Sequence, residues 1–331
     1  MLKADMRYFV TGATGFLGGV LVRQLRAAGH HVVALVRDAA RARGLAHLGL
    51  ELVAGDVTDR TTMTGPMAGA DGVFHCAAWY KLGARDKSMA FATNVEGTRN
   101  VLEVMKKAGV PKGVYTSTLA VFSDTGGRMV DERYRHLGAS FISEYDRTKW
   151  LAHYEVALPM MLQGLPLVIV QPGVIYGPGD HSDVHAAWVG LLSGTLRMLP
   201  ERTAYCWAHV EDVAAGHVLA MEKGRPGETY IIAGPRHTFV EAVEIAARIA
   251  GVKAPSRRVS PAVVRAAAAA LSPIDRLFPL QGQLSPEYLR AIAGATYLGD
   301  NAKARRELGY APRPLEEGLK DTIAWEKQNR V

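Results

Sequence analysis

Short apolar runs alternate with stretches of helical periodicity through the first half of the chain. RYFVT (7–11), HVVALV (31–36), LELVAG (50–55), GVFHCAA (72–78), GVYTST (113–118) and LVIVQP (167–172) read as strands. The alternation predicts a doubly wound α/β fold, a parallel sheet with right-handed crossovers and helices on both faces. After Pro172 the pattern breaks. QPGVIYGPGDHSD is rich in turn residues, and the remainder reads as mainly helical, with a capping box at Thr238 and Glu241 before VEIAARIAG. The expected division is a Rossmann domain over residues 1–171, joined by a returning segment at about 206–233. A smaller, mainly helical substrate domain would comprise 172–205 and 234–331 and form one wall of a cleft.

Composition narrows the class. At 331 residues, 48% hydrophobic, the chain has ample core for one large domain or two linked ones. The apolar run VVRAAAAAL (263–271) is interrupted by Arg265 and falls short of the roughly 20 residues that span a bilayer. MLKADMRYFVTG enters a strand within a few residues, without an apolar signal region, so the expectation is a cytoplasmic protein with no membrane span. Cys76 and Cys206 have neither a CxxC partner nor metal-type spacing and read as buried thiols. The net charge of +7 is spread without a basic run or interleaved aromatics, which argues against nucleic acid and fits a site for an anionic cofactor.

That site has a place in the sequence. TGATGFLGG (11–19) begins as the first strand ends and runs into a helix. Gly12, Gly15 and Gly18 let backbone amides approach a pyrophosphate at a helix N-terminus, where partial positive charge favours an anion. The spacing is GxxGxxG, not the commoner GxGxxG. An NAD site usually carries a carboxylate about 20 residues into this unit, on the ribose hydroxyls. Val36 stands there, with Arg37 next, and an arginine at that point can pair with a 2′-phosphate. The expected cofactor is therefore NADP(H), with NAD(H) as the alternative. In GDVTD (55–59), Asp56 could accept from an adenine amino group, while a helix cap by Asp59 is the competing use.

EYDRTKW (144–150) puts Tyr145 and Lys149 one helical turn apart. Such a spacing alone is an ordinary surface pair. DHSDVH (180–185) has metal-like spacing without a further ligand set, so no metal is expected. His75 reads as a satisfied core histidine, and Trp79, Tyr80, Phe122, Tyr176 and Trp188 as either pocket or core.

With TGATGFLG, GDVTD, HCAAW, NVEGTRN, YTST, YDRTK and QPGVIYGPGD in this order, the chain resembles the extended short-chain dehydrogenase/reductase superfamily. It looks most like the branch of dihydroflavonol 4-reductases and related aldehyde and ketone reductases. HVEDVAAGH and LGDNAKARRELGYAPRPLEEGL extend the resemblance over essentially the whole chain. The resemblance implies that Tyr145 is the general acid/base, that Lys149 lowers its pKa and holds the nicotinamide ribose, and that Thr118, with Ser117 as fallback, donates to the substrate oxygen. It places the cofactor against Thr11, Gly12, Gly15, Phe16, Leu17, Gly18, Arg37, Asp56, Val57, Ala77, Ala78, Lys149, Pro172 and Val174. Asn94 matches a helix asparagine with a proton-relay or a structural role. A small-molecule substrate is implied, and a homodimer stays open.

Three functions then compete: an NADPH-dependent carbonyl reductase, a nucleotide-sugar epimerase or dehydratase, and a non-catalytic dinucleotide sensor. The Tyr145, Lys149 and Thr118 set speaks against the sensor. Sugar 4,6-dehydratases of the superfamily follow the threonine with an Asp-Glu pair, whereas Leu119 and Ala120 follow Thr118. Val174 offers no side-chain hydrogen bond where many sugar-nucleotide enzymes carry asparagine. The reductase is the expected function, with an epimerase as the alternative, because Arg197, Arg202 or Arg236 could serve a diphosphate.

Overall fold

A computed structural model describes residues 5–38, 40 and 42–329. Residues 1–4 of the N-terminal reading, and Ala39 and Arg41 of the LVRDAARAR stretch, lie outside these. The strands in chain order are β1 (Arg7–Thr11), β2 (His31–Val36), β3 (Glu51–Ala54), β4 (Gly72–His75), β5 (Gly113–Thr116), β6 (Leu167–Pro172), β7 (Val174–Tyr176), β8 (Met198–Pro200), β9 (Ala204–His209), β10 (Thr229–Ile232), β11 (Arg236–Thr238), β12 (Arg257–Val259) and β13 (Thr296–Tyr297).

Seven of them form one parallel sheet in the order β10-β6-β5-β4-β1-β2-β3, the doubly wound arrangement with β10 added at one edge. Strand alternation splits the core between two faces. Tyr8 and Val10 of β1 pack with Leu21, Leu25, Val213 and Tyr230 on one face, and Phe9 packs with Met63, Val101, Met105 and Val156 on the other. The helix Phe16–Ala27 covers the first face beside Val210–Lys223, and Gly97–Lys107 covers the second.

The remainder is less purely helical than its sequence suggests. β9 pairs with β7, β11 and β13, and β8 pairs with β12. These strands are two to six residues long, too short to announce themselves by alternation. The capping box is present: Glu241 N–H donates to Thr238 Oγ1 at 3.1 Å, and Thr238 N–H donates to Glu241 Oε2 at 2.7 Å. A second core gathers Tyr176, Trp188 and Trp207 under the helices Asp183–Ser193 and Phe239–Ala250.

Candidate active site

The parallel sheet brings the expected site residues to one edge, the carboxyl ends of its strands. Thr11 ends β1, Arg37 follows β2, Asp56 and Val57 follow β3, Ala77 and Ala78 follow β4, Thr118 follows β5, and Pro172 ends β6. A crevice at this edge is where open α/β sheets bind ligands.

The first turn has no room for side chains. Gly12 has φ +78°, and a Cβ there would lie 2.7 Å from the Ala77 nitrogen; at Gly18 it would lie 2.0 Å from the Gly12 carbonyl oxygen. Gly15 caps the helix Phe16–Ala27 with no side-chain hydrogen bond, and no acidic residue stands in its first turn. These are the conditions under which a helix N-terminus receives a phosphate, so the residues present fit a dinucleotide. Behind the turn, Thr98 donates to the Asn94 carbonyl, His75 Nε2 then donates to Thr98 at 3.0 Å, and Thr11 donates to His75 Nδ1 at 2.8 Å. Thr11 Oγ1 in turn accepts from the Ala77 amide at 3.3 Å. Burial lowers the His75 pKa to about 3, with Lys149 adding to the shift, so His75 is a neutral strut.

At the adenosine end, Val36 is buried and Arg37 exposed, with Arg37 Nε 3.9 Å from Asp56 Oδ2. Asp38 accepts the Ala40 amide within its own turn. The Asp56 carboxylate holds the Thr58 amide and hydroxyl, each at 2.9 Å, and Asp59 holds Thr61. Val57 is buried, and its carbonyl accepts from Asn100.

Tyr145, Thr118 and Lys149 converge from two elements. Ser143 caps the helix Glu144–Leu151 by accepting from the Asp146 amide at 3.1 Å. Thr118 Oγ1 accepts from the Ala120 amide at 3.2 Å and stands close enough to the Tyr145 phenol to influence it. Burial pushes the phenol up to about 12, Thr118 pulls it down, and the Asp146 carboxylate raises it. The resemblance implies an ammonium that lowers this phenol. Lys149 Nζ donates to the Thr116 carbonyl at 2.8 Å and to the Tyr115 hydroxyl at 3.3 Å, and stands 4.8 Å over the Tyr115 ring. The reason is desolvation: the buried ammonium, its pKa lowered to about 7 by burial, takes the backbone acceptor at the end of β5. Ser117 is buried and bonded to His153 Nδ1 at 2.8 Å, which leaves Thr118 as the hydroxyl facing Tyr145.

Asn94 uses both ends of its amide on the Trp79 backbone, accepting from its N–H at 2.7 Å and donating to its carbonyl at 3.0 Å, with a further bond to Thr148. It sits in a π-helical stretch, Ala92–Glu96. Of the aromatic residues, Phe122, Tyr176 and Trp188 are fully buried core. Tyr80 is 48% exposed and sets its ring edge on Tyr145, centroids 4.8 Å apart. Tyr205 and Tyr297 stack at 6.0 Å, and the Tyr297 hydroxyl donates to Asp146 at 3.0 Å. Asp146, buried beside the acid, and Tyr205, Tyr297 and Glu287 carry no local signal in the sequence. Asp180 and Ser182 of DHSDVH bond to each other, and His185 pairs with Glu326 at 2.7 Å. Among the described residues no group of three or more His, Cys, Asp or Glu side chains could hold a metal ion. Both cysteines are free thiols, Cys206 buried and Cys76 partly so.

The model of the NAD dependent epimerase/dehydratase family matches residues 8–233, from β1 through β10. The chain belongs to this family. A protein of Synechocystis sp., provisionally named a dihydroflavonol 4-reductase, is 33% identical over 96% of this chain and 94% of its own length. Sterol demethylase protein B of Methylococcus capsulatus is 29% identical, over 97% of this chain and 98% of its own. Among solved structures, DesIV, a dTDP-glucose 4,6-dehydratase from Streptomyces venezuelae with NAD and TYD bound, superposes with a TM-score of 0.78 at 26% identity, covering 98% of each chain. Like other members of the NAD dependent epimerase/dehydratase family, the chain is an enzyme that uses a nicotinamide dinucleotide. No helix among the described residues is long and apolar enough to cross a membrane.

Proposed function

We propose that the chain is an NADPH-dependent reductase of a neutral, largely apolar ketone or aldehyde. What carries this reading is the convergence of the Tyr145 phenol, from the helix Glu144–Leu151, and Thr118, just past β5, at the strand ends where the glycine turn would hold a dinucleotide. A phenol placed there can protonate a carbonyl oxygen as hydride arrives. Gly12, Gly15 and Gly18, with the first turn of Phe16–Ala27, would hold the pyrophosphate, and Arg37 the 2′-phosphate. Lys149, Pro172 and Val174 would stand at the nicotinamide end. When bound, the reduced nicotinamide supplies a hydride to the carbonyl carbon. Tyr145 Oη donates its proton as the oxygen gains charge, and Thr118 shares the hydrogen bond. A donor that strengthens as charge develops favours the transition state over the ketone, so both hydroxyls act on turnover more than on substrate binding.

The walls support a neutral substrate. Tyr80 packs its ring across Tyr145, Tyr297 bonds to Asp146 beside the acid and stacks on Tyr205, and the nearby half-buried Asp183 would repel a diphosphate. Arg236 lines a different cavity of about 360 Å³ with His237, Arg305 and Arg313, none of whose lining residues belong to the Tyr145 site. The names of the two relatives, which speak of a sterol and a flavonol, point the same way. The smaller domain formed by 172–205 and 234–331 would close the cleft over the substrate.

The test is Tyr145→Phe, assayed by NADPH oxidation with androstenedione, benzil and ethyl 2-methylacetoacetate. We expect turnover to fall by about 100-fold or more, the usual contribution of a positioned acid, with NADPH affinity kept within about two-fold. Unchanged turnover would remove Tyr145 from the reaction.

A further inference from the structure

Glu287 is a buried carboxylate shared by three segments that meet at Tyr145. It sits in the helix Pro286–Ile292. Its Oε1 accepts from the Glu144 amide at 2.6 Å, and its Oε2 accepts from the Gly83 amide at 3.2 Å and pairs with Lys87 Nζ at 2.7 Å. Glu144 opens the helix that carries Tyr145. Gly83 and Lys87 belong to the loop after β4 that also carries Tyr80, the residue whose ring edge rests on Tyr145.

The loop docks closely. Gly83 has φ +62°, and a Cβ there would lie 2.1 Å from Ser285 Oγ. Its carbonyl accepts from the Gly282 amide at 3.2 Å. Ser285 is itself fixed, accepting from the Tyr288 amide at 3.1 Å as the cap of the Glu287 helix. A carboxylate taken out of water is costly unless every oxygen is satisfied, and a well-packed apolar side chain would often stabilise the fold as well. Here each oxygen is committed, and each commitment fixes a backbone or side chain next to the acid. The geometry therefore orients Tyr145 from two sides: at the first turn of its own helix and through the ring of Tyr80.

We propose that Glu287 is a positioning residue for Tyr145, holding the Glu144–Leu151 helix and the Tyr80 loop in the arrangement in which the phenol meets Thr118. The inference rests on Tyr145 being the acid. Glu287→Gln keeps size and an acceptor for the Glu144 amide, but loses the ion pair with Lys87 and sets an amide group against a backbone donor. Lys87→Gln disturbs the loop alone.

The experiment compares the wild-type chain, Glu287→Gln, Lys87→Gln and Tyr145→Phe by amide hydrogen exchange, NADPH titration and steady-state reduction of the fastest of the three ketones above. In Glu287→Gln we expect exchange in residues 81–87 to rise by at least about 10-fold, kcat to fall by about 5- to 20-fold, and both NADPH affinity and KM to stay within about two-fold. Lys87→Gln should raise exchange in the loop with a smaller loss of kcat. Wild-type exchange and kcat in Glu287→Gln would overturn the proposal. So would a loss of kcat matched by equal loss of NADPH binding and melting temperature, which would make Glu287 a fold residue only. If Tyr145→Phe retains full turnover, the acid assignment has failed, whatever the exchange shows. An inactive Tyr145→Phe beside fully active Glu287 variants would sink the positioning role alone.

Discussion

Arg37 is an exposed arginine that, among the described residues, pairs with Asp56 at 3.9 Å, a carboxylate that already holds two hydrogen bonds from Thr58. An ion pair of that length at the surface contributes little, so the guanidinium is available to a phosphate. Replacing Arg37 with Ala should weaken NADP(H) binding by roughly 1.5–3 kcal/mol, a charge-assisted contact, and leave NAD(H) binding nearly unchanged. Fluorescence titration with both cofactors decides it; equal losses would assign Arg37 to the shared phosphates or to the fold. Single residues were legible where the chemistry is local. His75 could be read as structural from its apolar strand, and its bonds to Thr11 and Thr98 bear that out. What Lys149 reaches could not be read, because the end of a long side chain is set by the acceptor it finds. The burial of Asp146 was equally hidden, since it depends on Tyr297, 151 positions away.

At the scale of elements, the strands of the parallel sheet were visible because buried parallel strands are continuous apolar runs bounded by turn residues. The short strands β7, β8, β11, β12 and β13 were not, because pairing with distant segments defines them. The β1–helix turn is the element on which cofactor binding depends, and its spacing is tested by a methyl group. Gly18→Ala places a Cβ 2.0 Å from the Gly12 carbonyl oxygen, so the helix must move off the turn. Overpacking of this kind costs about 1–3 kcal/mol, and NADPH affinity should fall by at least about 10-fold. Gly65→Ala, in the helix Thr61–Met67 with nothing within 4 Å of its Cβ, is the control and should be neutral or slightly stabilising in thermal unfolding. Equal behaviour of the two variants would mean that the turn tolerates displacement.

For the whole molecule, five buried histidines, His30, His75, His153, His209 and His217, resist protonation, three of them by a wide margin. Burial lowers His75 and His153 to about 3 and His217 to about 4, from an ordinary value of 6.5. Below 6.5 the unfolded chain takes up protons that the folded chain refuses, so stability is lost as pH falls toward the folded values. Three such groups together cost about 4 kcal/mol per pH unit, against a total of about 5–15 kcal/mol for a typical protein. Asp146, raised to about 7 by burial, acts in the opposite sense: its contribution is largest below its ordinary 3.8 and is lost as pH rises through 7. Urea unfolding between pH 7 and 4 should therefore show stability falling with a net uptake of about two protons, three on these histidines less the one that Asp146 already holds in the folded chain, and a flat profile would mean that these histidines are not held neutral.

Whether the assembled site reduces a carbonyl or returns the hydride to its own substrate, as an epimerase does, is tested most directly with stereospecifically deuterated NADPH. Incubated with a ketone that the enzyme consumes, it should yield deuterated alcohol and one equivalent of NADP⁺ per alcohol formed. Interconversion of sugar nucleotides by the purified protein, with no net consumption of cofactor and no deuterium in any ketone-derived product, would contradict the reductase.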